Sequence, residues 1–493
     1  MTDGQDALRP SIMLGAHSQY RAVYTGVARQ LRQTGCDVHL YVALPEQAGF
    51  YEGRDPDLYS RVTIANRLYE ACAEAVADEA AVIARAKENE ARLGASYNSI
   101  LLTDRHLGRG FALGGFRHPR SRISRETSYV QAVHAVNETI AFWEREIDRT
   151  GARLILNCGK IAALVARARG IAYRRLSASR YKNYHYWGID EYSTNPALGP
   201  AFDATEDAEA GGVEAPYATH LQMRGFFKSR LTLHGVLRDI GTTLARRLYW
   251  RLRGYEKAKG YLVADELGYL WRRYADMKAI ARRSVTLEQL AGRRFIYYPL
   301  HTEPETALQT FSPEYFFQLS SIAALARDAP AGVLVAVKET AAAVGRRPRD
   351  FYDQIAEFKN VVFIDPNELG LKAAAQCDVV ATITGTGGLE GAAMGRPVVT
   401  FGLHNSYNFL PHVRVMRDPE DLKPALDWAL GPAFDAAAAD RDGRRFLRAL
   451  ASVSFDLGDF SLRAPDAIDP AAVEAAVENL LAGAPDLRVS EAA

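Results

Sequence analysis

From Arg294 to Phe401 short apolar runs alternate with segments of helical spacing, and this alternation constrains the fold more than any other feature. The runs are Phe295–Pro299 (FIYYP), Gly332–Lys338 (GVLVAVK), Asn360–Ile364 (NVVFI), Asp378–Ile383 (DVVATI) and Pro397–Phe401 (PVVTF). Helical spacing falls between them, over Pro313–Arg327, Pro348–Glu357, Glu368–Gln376 and from Leu389 to Met394. Continuous apolar strands separated by helices predict a parallel sheet. Each parallel pair needs a crossover, and the crossover helices cover both faces of the sheet. Ligands of such sheets gather at the C-terminal ends of the strands.

The first part of the chain repeats the theme. Ser11–Ala16 reads as a strand, Tyr20–Gln33 as a helix ended by Gly35, and Asp37–Ala43 as a second strand. Ala65–Leu93 has helical period, Asn98–Thr103 (NSILLT) reads as a strand, and Thr127–Arg149 as a long helix. Arg153–Asn157, the helix Ile161–Arg169 and a turn and strand over Gly170–Leu176 follow, and Ala471–Leu481 reads as a terminal helix. A chain of 493 residues predicts two or three domains. The expected divisions are 1–200, an acidic linker and basic connector over 201–285, 286–430, and a helical tail over 431–493.

Lys and Arg number 60 and Asp and Glu 59, a net charge of +1, which argues against broad nucleic-acid binding as the main task. Cys36, Cys72, Cys158 and Cys377 have no spacing suited to zinc or to a disulfide framework, so reduced thiols in a cytoplasmic protein are expected. The first residues carry two acids and only a short apolar run, unlike a signal peptide. No apolar stretch reaches the roughly 18 residues that a membrane span needs.

Thr384–Gly391 (TGTGGLEG) follows a strand and opens a helix. Glycines allow close backbone approach, and free N–H groups at a helix start attract anions, so Thr384, Gly385, Thr386, Gly387 and Gly388 are expected to hold a phosphate. A Gly-rich turn that only packs tightly would use the same residues. The helix end alone supplies about 0.3–2 kcal/mol to an anion, so a cation is wanted. Lys338, at another strand end, is that expected counter-charge, with Arg346 and Arg347 a turn later. Glu390 is a candidate ribose contact. His301 and Glu303, directly after FIYYP, are expected to line the site, with a sugar-binding or proton-transfer role. Asp104 and Asp190 are the candidate base or nucleophile. His17, Arg105, Arg109, Arg180, Tyr184 and Trp187 offer the aromatic faces and cations suited to a sugar acceptor.

Residues 224–261 are rich in Arg and Lys, with Phe226, Phe227, Tyr249, Trp250 and Tyr255 interleaved. Three uses fit: docking on an anionic inner membrane face, binding an acidic or lipid-linked glycan, or a solvated helical connector.

The run YYPLHTEPETAL, the strand ending VKE, FYDQIAEFKNVVFIDP and TITGTGGLEGAAMGRPVVTFG together resemble the bacterial capsule and surface-polysaccharide biosynthesis proteins, which include Kdo transferases using CMP-Kdo. DRHLGRGF and LSASRYKNYHYW resemble the family more weakly. The resemblance implies a GT-B-like α/β fold, two Rossmann-like domains facing a central cleft, with the nucleotide on the C-terminal one. It also implies a metal-independent glycosyltransferase without a separate cofactor, taking a nucleotide sugar and a glycan or glycolipid acceptor. Family members often read KEHP where this chain reads Lys338-Glu339-Thr340-Ala341, which leaves UDP- and GDP-sugars open beside a CMP-linked donor. A nucleotide-sugar 2-epimerase and a non-catalytic assembly or export partner are the alternatives.

Overall fold

The computed structural model describes residues 9–111, 117–206, 232–254, 260–303, 305–315 and 317–483. It divides into two compact units, one of Met1–Ile100, Thr127–Ala197 and Leu450–Ala493, the other of Leu101–Glu126 and Leu198–Ala449. The units are therefore not consecutive in sequence. The segment expected as a tail after residue 430 is split between them, and residues 101–126 leave the N-terminal unit.

The first unit is built on a seven-stranded sheet. Its strands are β1 (Ser11–Gly15), β2 (Asp37–Val42), β3 (Arg61–Ile64), β4 (Ala152–Leu156), β5 (Ala172–Ala178), β6 (Tyr184–Gly188) and β14 (Phe455–Asp456). The order is β14-β6-β5-β4-β1-β2-β3, parallel from β5 through β3 and antiparallel where β6 meets β5 and β14. The helix Pro470–Ala482 packs its Val473, Ala476, Val477 and Leu480 into the same core as Val23, Val27 and Leu31 of the helix Arg21–Gln33.

Three expectations change here. NSILLT is the helix Tyr97–Leu102, not a strand. Gly94 ends the preceding helix in the left-handed region at φ 66°, and Ser96 then starts a new one, its Oγ accepting the Ser99 N–H at 3.2 Å. A local cap outweighs the apolar run. The sheet is instead completed by β3, whose RVTI is half-exposed at an edge and carries a weak apolar signal. The long Ala65–Leu93 pattern is two helices, Arg67–Ala71 and Glu79–Leu93, the second capped by Asp78.

The second unit holds another seven-stranded sheet, all parallel. Its strands are β7 (Ser284–Val285), β8 (Phe295–Pro299), β9 (Leu334–Lys338), β10 (Val361–Ile364), β11 (Val379–Thr382), β12 (Val398–Thr400) and β13 (Val413–Val415). The order is β13-β12-β11-β8-β9-β10-β7. From β8 the chain winds one way through β9 and β10, then returns to β11 and winds the other way through β12 and β13. This is the doubly wound arrangement anticipated from the alternating runs. The expected linker region contributes the helices Leu198–Ala204, Leu233–Leu252 and Val263–Arg283. Asp207, Glu209, Glu214, Arg224, Phe226, Phe227, Tyr255 and the others of that stretch in 207–231 and 255–259 lie outside the described residues.

Trp187 of β6 is a core residue. Its indole N–H donates to the Ala476 carbonyl at 2.8 Å, and its ring meets Tyr24 and Phe455. Trp187→Ala is expected to cost about 3–5 kcal/mol, read as a lower urea midpoint for this unit. An unchanged midpoint would contradict the core placement.

Candidate functional site

β8 and β11 are neighbours in the sheet, yet the chain leaves them in opposite directions. The loops after such a pair diverge and leave a crevice, where doubly wound sheets hold their ligands. His301 lies just after β8, and Thr384–Gly385 just after β11. Lys338 ends β9, in register with Pro299 of β8. His301, Lys338 and the Gly-rich segment thus gather at one edge of one sheet.

The Gly-rich segment is a turn followed by the helix Thr386–Ala393. Gly385 is the residue before the helix, in extended conformation. The N–H groups of Thr386 and Gly387 belong to those that a helix start leaves without an intrahelical acceptor. The later glycines have a packing reason. A Cβ on Gly388 would fall 2.2 Å from the Tyr407 hydroxyl, and one on Gly391 would fall 2.6 Å from Val380 Cγ2. The helix therefore lies directly on β11 and against Tyr407. Tight packing thus accounts for Gly388 and Gly391.

His301 holds this turn from beneath. Its Nε2 accepts the Thr384 N–H at 3.0 Å, while Thr382 Oγ1 accepts the Gly385 N–H at 3.1 Å. His301 is itself fixed through its backbone. Gln318 accepts its N–H at 2.6 Å and donates to its carbonyl at 3.1 Å, and Arg347 donates to that carbonyl at 2.5 Å. Gln318 also donates to Glu303 at 2.5 Å. Arg347 is fully buried and meets Glu339 through two hydrogen bonds of 2.9 Å, with Glu303 at 3.5 Å. Tyr352 donates to Glu339 at 2.8 Å. Burial disfavours the Arg347 charge, but Glu339 and Glu303 outweigh it and hold the guanidinium ionised. Burial pushes the Glu303 carboxyl upward, with Arg347 opposing.

His301 and Glu303 are 6% and 5% exposed. Neither forms an open wall of the site. They are the buried support of the turn, and Glu303 points into the Arg347 pair rather than toward Lys338. Nothing in the spacing singled out Gln318, Tyr352 or Tyr407. The pairing of Glu303 and Glu339 with a single Arg347 was the available signal, masked by the charged neighbours of Arg347 in sequence.

Glu390 projects from the first turns of the helix. Burial pushes its carboxyl up to about 7, with Lys338 close enough to oppose the shift. The Tyr297 hydroxyl is raised well above its usual range by burial, and next by Glu390. Lys338 makes long contacts, 3.4 Å each, to the carbonyls of Glu339 and Pro366. A helix start, an ammonium and a carboxyl of raised pKa thus lie together. That set can take a phosphate and a hydroxyl-bearing group.

The remaining candidates lie elsewhere. Asp104 and Arg105 belong to the second unit, outside its sheet, and the Asp104 carboxylate accepts the N–H groups of His106 and Leu107 at 2.7 and 2.8 Å. Arg105 is exposed, and Arg109 donates to the His118 carbonyl. Asp190, in the first unit, closes a turn by accepting the N–H groups of Tyr192 and Thr194 at 3.0 and 2.9 Å. His17 follows β1, which with β4 forms the switch point of the first sheet, and its ring meets Tyr20 edge-on. Burial, then Arg175, lowers its pKa. Arg180 is exposed in the β5–β6 hairpin at φ 67°, and Tyr184 stacks on Tyr181. Trp187, expected beside them, is in the core. Among the described residues no group of three or more His, Cys, Asp or Glu side chains could hold a metal ion. No disulfide joins any of the four cysteines.

No protein-family model and no curated protein sequence matches the chain. Solved structures do. A putative UDP-N-acetylglucosamine 2-epimerase from Listeria monocytogenes is 9% identical, over 90% of this chain and 96% of that one, with a TM-score of 0.27. The Thermosulfurimonas dismutans KpsC β-Kdo 2,4 transferase is 14% identical over 57% and 79%, TM-score 0.28. Acinetobacter baumannii MurG is 12% identical over 90% and 98%, TM-score 0.28. Superpositions this loose assign no activity. The fold class stands on the two doubly wound sheets themselves.

Burial lowers the His301 pKa to about 4 from 6.5. Its neutral form is therefore favoured in the fold, and the stability this brings is complete above pH 6.5 and lost as the pH falls toward 4. The amount at stake is on the order of 3 kcal/mol. His301→Gln keeps an acceptor for the Thr384 N–H and cannot titrate. It should flatten this part of the acid dependence in urea unfolding at pH 7 and 4.5. An identical slope in both proteins would refute the assignment. Arg347→Leu leaves Glu339 and Glu303 buried without a cation, and should destabilise the second unit by about 3–5 kcal/mol in the same measurement.

Proposed function

We propose that the chain is a GT-B-type glycosyltransferase that binds the phosphates of a nucleotide sugar at the start of the helix Thr386–Ala393. One observation carries this reading: the Gly-rich helix start and Glu390 follow β11 at the switch point of an all-parallel, doubly wound sheet, and Lys338 ends β9 on the same edge, near enough to influence Glu390. Such a crevice is where α/β sheets hold nucleotides. The Thr386 and Gly387 N–H groups and the Thr384 hydroxyl would face the phosphates, and Lys338 would supply the charge that the helix end lacks. Glu390, with its raised pKa, would accept or donate to a ribose hydroxyl. The donor is a CMP-Kdo-like, UDP- or GDP-sugar, and the acceptor a surface-polysaccharide or glycolipid glycan. On this reading the first unit, with His17, Arg180 and Tyr184, serves the acceptor, and the reaction needs no metal. The carboxylate that activates the acceptor is sought at Asp104 or Asp190, although each now closes a turn. The motif resemblance to capsule-polysaccharide proteins supports the substrate class, and a cytoplasmic site of action follows from it.

Thermal unfolding with CMP, UDP and GDP tests the reading. At least one should raise the melting temperature, since a ligand at a hundredfold its Kd adds about 2.7 kcal/mol. Lys338→Met should remove most of that rise while leaving the melting temperature of the free protein unchanged. A rise with none of the three, or an equal rise in the variant, refutes the assignment. Turnover of a UDP-sugar without any acceptor would turn the reading to a 2-epimerase.

A further inference from the structure

The helix Leu233–Leu252 buries one face and leaves a second, apolar face exposed. Its buried face carries Val236, Asp239 and Thr243, and Asp239 is tied to Arg273 of the helix Val263–Arg283 at 3.0 Å. A second face carries Leu233, Leu237, Leu244, Leu248 and Leu252, between 45% and 78% exposed. At 3.6 residues per turn these five lie within an arc of about 100°. They form a continuous stripe roughly 30 Å long, a length set by about 1.5 Å per residue.

Among the described residues the charges that border the stripe are of one sign. Arg238 and Arg251 border it, and Arg253 follows its end. The helix has one acid, Asp239, which is buried and held by Arg273. On the neighbouring helix Asp265 is held by Arg120, Glu266 by Arg246 and Arg247, and Asp276 by Arg117. Arg251 and Arg253 have no carboxylate partner among the described residues. Trp271 of that neighbouring helix is 51% exposed.

We infer that this helix lies on an anionic lipid surface, with the leucines in the acyl boundary and the arginines on the phosphates. Leucines on one side and arginines at the margin are the makeup of an in-plane membrane helix, and long arginine stems let the charge reach the headgroups. A second copy of the chain fits less well. A two-fold pairing of the stripes would set arginine against arginine, with no free acid on either helix among the described residues to answer them. Lipid supplies both the hydrocarbon and the negative charge. This surface is independent of the nucleotide reading and needs no ligand bound.

The test is co-sedimentation of the full chain with vesicles of phosphatidylcholine alone and of phosphatidylcholine with one-third phosphatidylglycerol. Binding to the anionic vesicles, weakened by salt, is expected, and none to the neutral ones. Leu244→Glu with Leu248→Glu should lower binding at least about tenfold, and Arg251→Gln with Arg253→Gln should lower it less and reduce the salt dependence. Both are surface changes, so an unaltered melting temperature confirms that the fold is kept. Absence of vesicle binding, or equal binding by the leucine variant, overturns the proposal. So does a dimer in sedimentation velocity that Leu248→Glu dissolves without any lipid binding by the original chain.

Discussion

A fully buried guanidinium organises the second unit. Arg347 has no solvent to stabilise its charge, so the fold must bring carboxylates and carbonyls to it. Glu339 comes from the end of β9, and Glu303 and the His301 carbonyl from the loop after β8. One cation thus pins the exits of two adjacent strands. Through His301 the constraint passes to the turn after β11. The helix start at the switch point is thus tied, through His301, to a buried charge that cannot be left unpaired.

Within that frame the glycines of Thr384–Gly391 divide the work. Gly388 and Gly391 let the helix approach Tyr407 and Val380, and a helix of such poor intrinsic propensity is kept by that contact. The Thr386 and Gly387 N–H groups have no intrahelical acceptor because they open the helix, whereas the Gly388 N–H already donates to the Gly385 carbonyl. Packing and anion binding call for the same residue, so a Gly-rich turn signals both at once.

The sheets were legible because parallel strands covered on both faces must be apolar throughout, and FIYYP, LVAVK and VVAT have no other plausible home. Edge strands lack that signature, which is why β3 escaped notice. NSILLT misled because its apolar content suits either element, and only the Ser96 cap decides. At the candidate site, the sequence pattern placed Lys338 and the Gly-rich turn at strand ends and Glu390 in the helix that the turn opens, and the structure brings them to the same edge of the sheet. The roles of His301, Glu303 and Trp187 were not. Sequence shows which residues can carry chemistry, but burial decides whether a polar group faces a ligand or another side chain. Trp187 sits in an aromatic, basic run that looks like a sugar platform until its indole is seen facing Ala476.

The unit that opens the chain is closed by residues near its far end. β14 pairs with β6, and the Trp187 indole finds its acceptor 289 residues later. At roughly 5–20 residues per second, a ribosome takes on the order of tens of seconds to cover that distance. During that time the first sheet has an unfilled flank and an unpaired strand edge. The second unit, whose segments end at Ala449, is synthesised in full before the first can finish. The unit that begins first is therefore the last that can be completed, and in the interval its apolar flank and strand edge stay uncovered.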